Sequence, residues 1–210
     1  MLPTVRSNCV FCDRSAGRPA AQWDTVLAET SDYIIVPTKG ALVPGWLLVV
    51  SKRHFLCAGA LPPEEFENLE EAINLAVEMV AARFGPVTIF EHGPRVPGTA
   101  VGCGIDHLHI HAVPLKLSLT AAVGALFPDT EWQRLSRLSD LRQIHARDLA
   151  YGVVKEHGAD LAWCPAPSNV RQFFRRVIAH SIGTPEEFDY SAHSQLHNVI
   201  RTLDRLRIAP

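Results

Sequence analysis

Residues 106–114 read Asp-His-Leu-His-Ile-His-Ala-Val-Pro and are the most informative part of this sequence. Alternate side chains of a β-strand face opposite sides of a sheet, so a strand here places His107, His109 and His111 on one face and the apolar residues on the other. A solvent-facing strand that carries three histidines by chance is disfavoured, because lysine, threonine or glutamate would serve equally well there. A three-histidine metal site is also disfavoured, because side chains that project nearly parallel converge poorly on one ion, although one or two of them could be ligands.

The residues before this segment predict an antiparallel sheet with one packed helix. Two apolar, β-branched segments are separated by a turn that contains Gly40 and Gly45, which is typical of a hairpin. From residue 64 to residue 83 apolar side chains recur at spacings of three and four, which predicts a helix. The elements of this β-β-α-β-β core are strands at 32–38, 46–51, 87–90 and 105–113 and the helix at 64–83.

The second half of the chain predicts a mainly helical extension with one hairpin. Its expected elements are helices at 130–146, 169–181 and 194–206 and strands near 149–154 and 161–164. The fold class is therefore α+β. We expect residues 1–115 to form the core and residues 116–210 to pack on it, because no Gly/Ser/Pro-rich linker separates the two parts.

Composition and charge restrict the class of protein. The chain has 210 residues, of which 47% are hydrophobic and 20% charged, so it can bury one sizeable core as a soluble globular protein. Its 20 Lys and Arg do not exceed its 22 Asp and Glu, so no basic surplus predicts a nucleic-acid partner. The apolar runs fall far short of the roughly 20 residues that span a bilayer, and the N-terminus lacks the apolar segment of a secretory signal. We therefore expect a cytoplasmic protein with neither a membrane nor a nucleic acid as its partner.

The cysteines point to metal or redox chemistry rather than to disulfides. Five cysteines, an odd number, argue against a secreted disulfide framework. Cys9 and Cys12 could be a redox motif, half of a zinc site or two unrelated thiols. Zinc is favoured, because the flanking residues predict a knuckle rather than the strand-to-helix junction of thioredoxin-like motifs. A tetrahedral structural zinc site needs two further ligands.

The pattern His-x-His-x-His followed by two apolar residues resembles the signature of the histidine triad (HIT) superfamily of nucleotide hydrolases and transferases. The resemblance extends to the Cys9-x-x-Cys12 pair, to the segment 47–54 that ends in a histidine, and to Glu91-His92-Gly93, and it covers about residues 8–114. It implies a HIT-like antiparallel sheet and an enzyme that cleaves a nucleoside 5′-phosphoryl bond.

The resemblance also implies a mechanism. His109 would attack the α-phosphorus of a nucleotide to form a nucleotidyl-histidine intermediate, which water or another acceptor then takes. A neutral imidazole suits this role because it is a competent nucleophile near pH 7. His111 would donate a hydrogen bond to the phosphate or assist the leaving group. The residues expected to bind the substrate are Gly102, Cys103, Gly104, His92, Arg171 and Arg175.

The two missing zinc ligands come from the same resemblance. In zinc-containing members they are the histidine after the second strand and the first histidine of the triad, here His54 and His107. The implied structural Zn²⁺ site is Cys9, Cys12, His54 and His107, and His92 is a rival for the fourth position. The first histidine of the triad would then hold the metal while the second carries out the chemistry.

Other positions bear on the substrate. Thr38 stands where small phosphoramidate hydrolases of the superfamily have an acidic residue that holds the ribose hydroxyls. The uridylyltransferase branch has Gln in place of His111, so the intact triad favours hydrolase-like or phosphorylase-like members. Arg171 and Arg175 share one face of a predicted helix and suit a second phosphate or sulfate, although a solvated helix face would look the same. Trp46 is expected in the core, although it could stack on a base.

We therefore expect a nucleotidyl hydrolase or transferase whose substrate is a nucleotide or a nucleotide conjugate, with a homodimer as a possible assembly. A phosphorylase or transferase with a dedicated biosynthetic acceptor is an alternative, because water and other acceptors attack the same intermediate. A non-catalytic, zinc-stabilised nucleotide-binding module is a third, but an intact triad disfavours it because a retired enzyme would be expected to lose its nucleophile.

Overall fold

The computed structural model describes residues 9–18, 25–101, 104–167 and 169–207. Its strands are β1 (Ala28–Glu29), β2 (Tyr33–Pro37), β3 (Leu47–Ser51), β4 (Val87–Gly93), β5 (His109–Pro114), β6 (Gln133–Arg134), β7 (Tyr151–Lys155) and β8 (Leu161–Pro165). Its α-helices are α1 (Val10–Ser15), α2 (Phe66–Phe84), α3 (Leu119–Leu126), α4 (Leu141–Ala146), α5 (Phe173–Ser181) and α6 (Leu196–Arg207). Among these helices none combines the length and the apolarity that crossing a membrane requires.

The strands of the described residues form one antiparallel sheet in the order β1-β2-β3-β5-β4-β7-β8-β6. Strand β5, which carries His109 and His111, lies in the interior of the sheet between β3 and β4. In its register His111 lies opposite Leu48 on β3 and opposite Phe90 on β4. The predicted α+β class, with a helix packed on an antiparallel sheet, is confirmed.

The two faces of β5 bury different partners. Leu108, Ile110 and Ala112 lie in the same buried cluster as the apolar side of α2. On the opposite face a second cluster contains residues of α3, α5 and α6 together with Phe90. The predicted alternation of apolar residues toward the helix is therefore confirmed. Helix α2 itself follows the three-and-four spacing of its apolar residues and stops at Gly85, whose φ of +99° favours glycine.

The C-terminal half continues the sheet of the core. Strand β7 pairs with β4, placing Val154 opposite Phe90 and Gly152 opposite His92. The division into a core and an extension at residue 115 stays a prediction, but the two parts share one sheet.

The prediction of a helix over 130–146 is wrong in its first half. Gln133 and Arg134 pair with Trp163 and Ala162 as strand β6, a 3₁₀ turn follows at Leu138–Asp140, and only Leu141–Ala146 is α-helical. The distant strand β8 supplies backbone hydrogen bonds that local helix periodicity does not reveal.

Candidate active site

The face of β5 opposite α2 opens into a cavity of about 280 Å³. Its wall includes the second and third histidines of the triplet and residues from the N-terminal helix, the β2–β3 connection and the C-terminal half. The described residues that line it are Val10, Phe11, Arg14, Thr38, Lys39, Leu48, His92, Ile105, His109, His111, Arg175 and Tyr190. This set contains three cationic side chains and no carboxylate, so the described wall favours an anionic ligand.

His109 is held in one orientation by the backbone. Its Nδ1 lies 2.7 Å from the carbonyl oxygen of His107. A carbonyl oxygen can only accept, so Nδ1 carries the hydrogen and the lone pair of the neutral ring is on Nε2. Burial lowers the pKa of His109 below its usual value, although the bond to the carbonyl opposes this effect. Near neutral pH the ring therefore retains a nucleophilic nitrogen.

His111 is fixed by aromatic neighbours. Its Nδ1 accepts a hydrogen bond from the indole Nε1 of Trp46 at 2.9 Å. The ring of Phe90 stacks on it at 4.4 Å between centroids and an interplanar angle of 13°. Burial lowers the pKa of His111 well below its usual value, and the charges of His109, His92 and Arg175 add to this. Trp46 is fully buried, so the suggestion that it stacks on a base is not supported.

His92 lies beside His111 rather than among the cysteines. Its Nε2 accepts a hydrogen bond from the backbone N–H of Phe174 at 3.1 Å, so the hydrogen of the neutral ring is on Nδ1. That nitrogen is buried and has no hydrogen-bond partner among the described residues. Burial is the main reason that the pKa of His92 is lowered to about 3. His92 is thus placed at the cavity and not as the rival fourth metal ligand.

The predicted arginine pair is separated. Helix α5 begins at Phe173, after Gln172 in the left-handed region with φ +55°, so Arg171 precedes the helix. The expectation of a shared helical face is therefore wrong. Arg175 is 3% exposed, lines the cavity and donates through Nε to the carbonyl of Phe188 at 2.9 Å. Arg171 is exposed.

The glycine loop before the triad is only partly described. Gly104 has φ +87°, a conformation that favours glycine, and a Cβ there would lie 3.8 Å from Nη2 of Arg171. Arg171 therefore stays close to this loop although it lies outside the helix. Gly102 and Cys103, expected to approach the phosphate, lie outside the described residues.

The first histidine of the triplet belongs to a different group. The ligand atoms of Cys9, Cys12, His54 and His107 all lie within 4.8 Å of one another. Nδ1 of His107 lies 3.3 Å from Sγ of Cys9 and 3.6 Å from Sγ of Cys12, and Nδ1 of His54 lies 3.3 Å from Sγ of Cys12. A tetrahedral zinc ion with ordinary bond lengths separates sulfur and nitrogen ligands by about 3.5 Å. The donor set and its spacing fit a structural zinc ion.

The tautomer of His107 also suits a metal ligand. Its Nε2 lies 2.7 Å from the carbonyl oxygen of Ser51, so Nε2 carries the hydrogen and the Nδ1 lone pair faces the thiols. His107 lies two residues before His109, the first residue of β5. The N–H of Leu108, the residue after His107, donates to the carbonyl of Phe55 at 2.7 Å.

The cysteine pair differs from expectation in its local structure. Cys9 is the N-cap of α1 and Cys12 lies inside this helix, so the pair opens a helix rather than a non-helical knuckle. The helix at the cysteine pair does not by itself indicate a metal site. The two histidines beside the thiols do. The ring centroid of Phe11, between the cysteines, lies 5.7 Å from that of His107 and 5.3 Å from that of His109.

Three residues received no role from the sequence: two that line the cavity and one on the opposite face of β4. Lys39 and Tyr190 line the cavity without belonging to any motif. On the other face of β4, buried Glu91 accepts hydrogen bonds from Ala58 N–H at 2.7 Å and Tyr151 Oη at 2.8 Å, and burial raises its pKa to about 7. The alternation of Glu91 with His92 along a strand was the available signal.

No family model matches the chain, and no curated protein matches it. Among solved structures, a histidine triad protein from Clostridium difficile is similar at 20% identity, over 54% of this chain and 95% of that one, with a TM-score of 0.43. A Hit-like protein involved in cell-cycle regulation from Bartonella henselae is similar at 15% identity, over 69% of this chain and 96% of that one, with a TM-score of 0.45. Yeast Ap4A phosphorylase in complex with AMP is similar at 13% identity, over 89% and 77%, with a TM-score of 0.43. The first two carry the name of the superfamily that the motif at His107–His111 resembles.

Proposed function

We propose that this chain is a nucleotidyl hydrolase or transferase that works through a covalent nucleotidyl-His109 intermediate. The observation that carries the proposal is the bond from Nδ1–H of His109 to the carbonyl of His107. It directs the hydrogen of the ring to one side and leaves the lone pair of Nε2 for the cavity. The cationic wall of that cavity favours a phosphate ligand.

In the first step Nε2 of His109 attacks the α-phosphorus. A P–N bond forms, the P–O bond to the leaving group breaks, and the electron pair departs with the leaving-group oxygen. The ring becomes cationic while it keeps its Nδ1–H, and the carbonyl of His107 stabilises that cation through the existing hydrogen bond.

In the second step an acceptor oxygen attacks the same phosphorus. The P–N bond breaks, its electron pair returns to Nε2, and the proton of the acceptor passes to solvent or to the departed oxygen. Water as acceptor gives hydrolysis, and phosphate or another oxyanion gives transfer. One difficult displacement at an anionic phosphorus is thereby replaced by two easier ones.

The N–H of His111 and the cationic side chains of the wall, Arg175 among them, are available to stabilise the charge on the phosphate. Nε2–H of His111 is the nitrogen left for the cavity after Nδ1 accepts from Trp46. Arg175 adds a positive charge in the same wall, and preorganised donors of this kind stabilise developing negative charge most effectively in a dry site.

A zinc ion held by Cys9, Cys12, His54 and His107 would have a structural role in this proposal. All four ligand positions come from the chain, which is typical of structural rather than catalytic zinc. The ion would tie helix α1 to the residue whose carbonyl orients His109.

A substrate panel tests the function and the acceptor together. The zinc-loaded protein is incubated with dinucleoside polyphosphates, nucleoside phosphoramidates and nucleotide sugars, each with and without inorganic phosphate. Release of a nucleoside monophosphate without added phosphate would support hydrolysis, and a phosphate-dependent nucleotide product would support transfer. Saturable nucleotide binding with no product from any substrate would contradict the proposal and favour the binding module.

A further inference from the structure

We propose that Trp46 is a positioning residue that holds His111 as a single neutral tautomer, with the hydrogen on Nε2 and the lone pair on Nδ1. The tautomer follows from contacts of the described residues alone. The use of its N–H on a phosphate oxygen rests on the proposed function.

The hydrogen bond between the two rings has only one possible direction. The indole Nε1 of Trp46 lies 2.9 Å from Nδ1 of His111. An indole nitrogen is a donor only, so Nδ1 must accept and cannot carry a hydrogen while the bond exists. In a neutral imidazole the remaining hydrogen is then on Nε2.

The strand register brings these two side chains together. Leu48 lies opposite His111 in the β3–β5 ladder, and Trp46, two residues earlier, belongs to the same face of the sheet. Trp46 is 0% exposed and His111 is 6% exposed, so water does not replace the bond. A flip of the His111 ring would leave a buried indole N–H unpaired, which opposes the flip.

Packing around both rings restricts their rotation. Phe90 stacks on His111 at 4.4 Å and also contacts Trp46 edge-on at 5.8 Å. On the cavity side the guanidinium carbon of Arg175 lies 5.0 Å from the centre of the indole ring. The indole is therefore clamped between a core aromatic ring and a cation that lines the cavity.

A second donor-only group acts in the same way on the neighbouring histidine. The backbone N–H of Phe174 donates to Nε2 of His92 at 3.1 Å, which leaves the hydrogen of that ring on Nδ1. Neither the indole nor the backbone amide titrates. The indole N–H of Trp46 and the backbone N–H of Phe174 consequently keep His111 and His92 as neutral rings whose remaining N–H can donate.

The tautomer can be read directly by NMR. The zinc-loaded protein is labelled with ¹⁵N-histidine, and long-range ¹H–¹⁵N correlations of His111 are recorded at pH 7.5, with His111→Asn used for assignment. We expect wild-type Nδ1 at the shift of an unprotonated nitrogen and Nε2 at that of a protonated one. A hydrogen on Nδ1 would overturn the proposal.

Two replacements of Trp46 remove the N–H. Trp46→Phe deletes it together with part of the ring, and the tryptophan analogue with sulfur in place of the indole N–H, incorporated at position 46 alone, keeps the bicyclic shape. We expect both to move the two nitrogen shifts of His111 toward averaged values. Trp163→Phe, which removes a buried indole on the α2 side of the sheet, is the control and should leave His111 unchanged. Retention of the wild-type pattern in the sulfur analogue would overturn the proposal.

Kinetics separate this inference from the proposed function. With the preferred substrate the sulfur analogue should lower kcat about 10-fold or more with little change in KM, because a transition-state contact is weakened. A changed tautomer with unchanged kcat would overturn the positioning role while leaving the covalent His109 step intact. Absence of a covalent adduct in the wild type would refute the proposed function without altering the NMR result.

Discussion

The candidate metal site (Cys9, Cys12, His54 and His107) and the cavity use histidine in opposite ways, although His107 of the first and His109 of the second are only two residues apart. At His107 the carbonyl of Ser51 takes the Nε2 hydrogen, and the Nδ1 lone pair faces two thiols. At His109 the carbonyl of His107 takes the Nδ1 hydrogen, and the Nε2 lone pair is left for the cavity. A backbone carbonyl thus decides which nitrogen of each imidazole can react.

The two regions are also connected. The side chain of His107 belongs to the candidate metal site with Cys9, Cys12 and His54, and its carbonyl orients His109. Phe11 contacts both rings from helix α1. Changes in the cavity should therefore leave the metal site intact, whereas changes in the metal site should reach the cavity.

The largest effect is expected from substitutions in the cavity, which should lower activity without disturbing the candidate metal site. His109→Ala should lower kcat by several orders of magnitude, because it removes the nucleophile, while zinc content and melting temperature stay near wild type. His111→Ala, which removes only a hydrogen-bond donor, should cost on the order of 10²–10⁴-fold. Steady-state kinetics, metal analysis and thermal melts check both variants. Equal losses of kcat in the two variants would contradict the assignment of the nucleophile to His109 and of the hydrogen-bond donor to His111.

An intermediate effect is expected from the metal side. We expect the wild type to hold about one zinc ion per chain and Cys9→Ser to lose it. The variant should also melt on the order of 5–10 °C lower, because structural zinc contributes folding free energy directly. Activity should fall as well, since His107 orients His109. Metal analysis and calorimetry provide the measurement.

The control for this variant is Cys57→Ser, a buried cysteine outside the four-residue group. It should keep the zinc. Carefully purified wild-type protein without zinc, or an unchanged melting temperature after verified chelation, would refute the metal site. The sheet and helix α2 should outlast the N-terminal segment, because they bury apolar surface without the metal.

The smallest effect is expected at Arg171, beside Gly104 of the loop before the triad. Arg171→Ala should raise KM by roughly 2- to 10-fold with little change in kcat, because an exposed arginine near Gly104 contributes binding energy that is equal in ground and transition states. Arg201→Ala, an exposed arginine of α6, serves as the control. Unchanged kinetics with the preferred substrate would return Arg171 to a solvated surface residue.

The sequence could predict what depends on period and motif. The alternation in β5 and the spacing in α2 were sufficient for the central sheet and its packed helix, because both periods are properties of the backbone. The resemblance predicted the four ligands of the candidate metal site, and their ligand atoms lie within 4.8 Å of one another.

Features that depend on distant contacts could not be predicted. Gln133 and Arg134 form a strand because β8 pairs with them, and Gln172 adopts a left-handed conformation that delays the start of α5. The bond from Trp46 to His111 requires the register of two strands, which neither residue reveals alone.

The most direct test of the account is whether a nucleotide becomes attached to His109. Wild-type protein is quenched during turnover of a substrate carrying ³²P at the α-phosphate, and the labelled peptide is mapped. We expect an acid-labile, alkali-stable label on the peptide that contains Asp106 to Pro114, and its absence from His109→Ala. A wild-type enzyme that turns over without any label, or a His109→Ala variant that keeps near-normal turnover, would contradict the covalent mechanism.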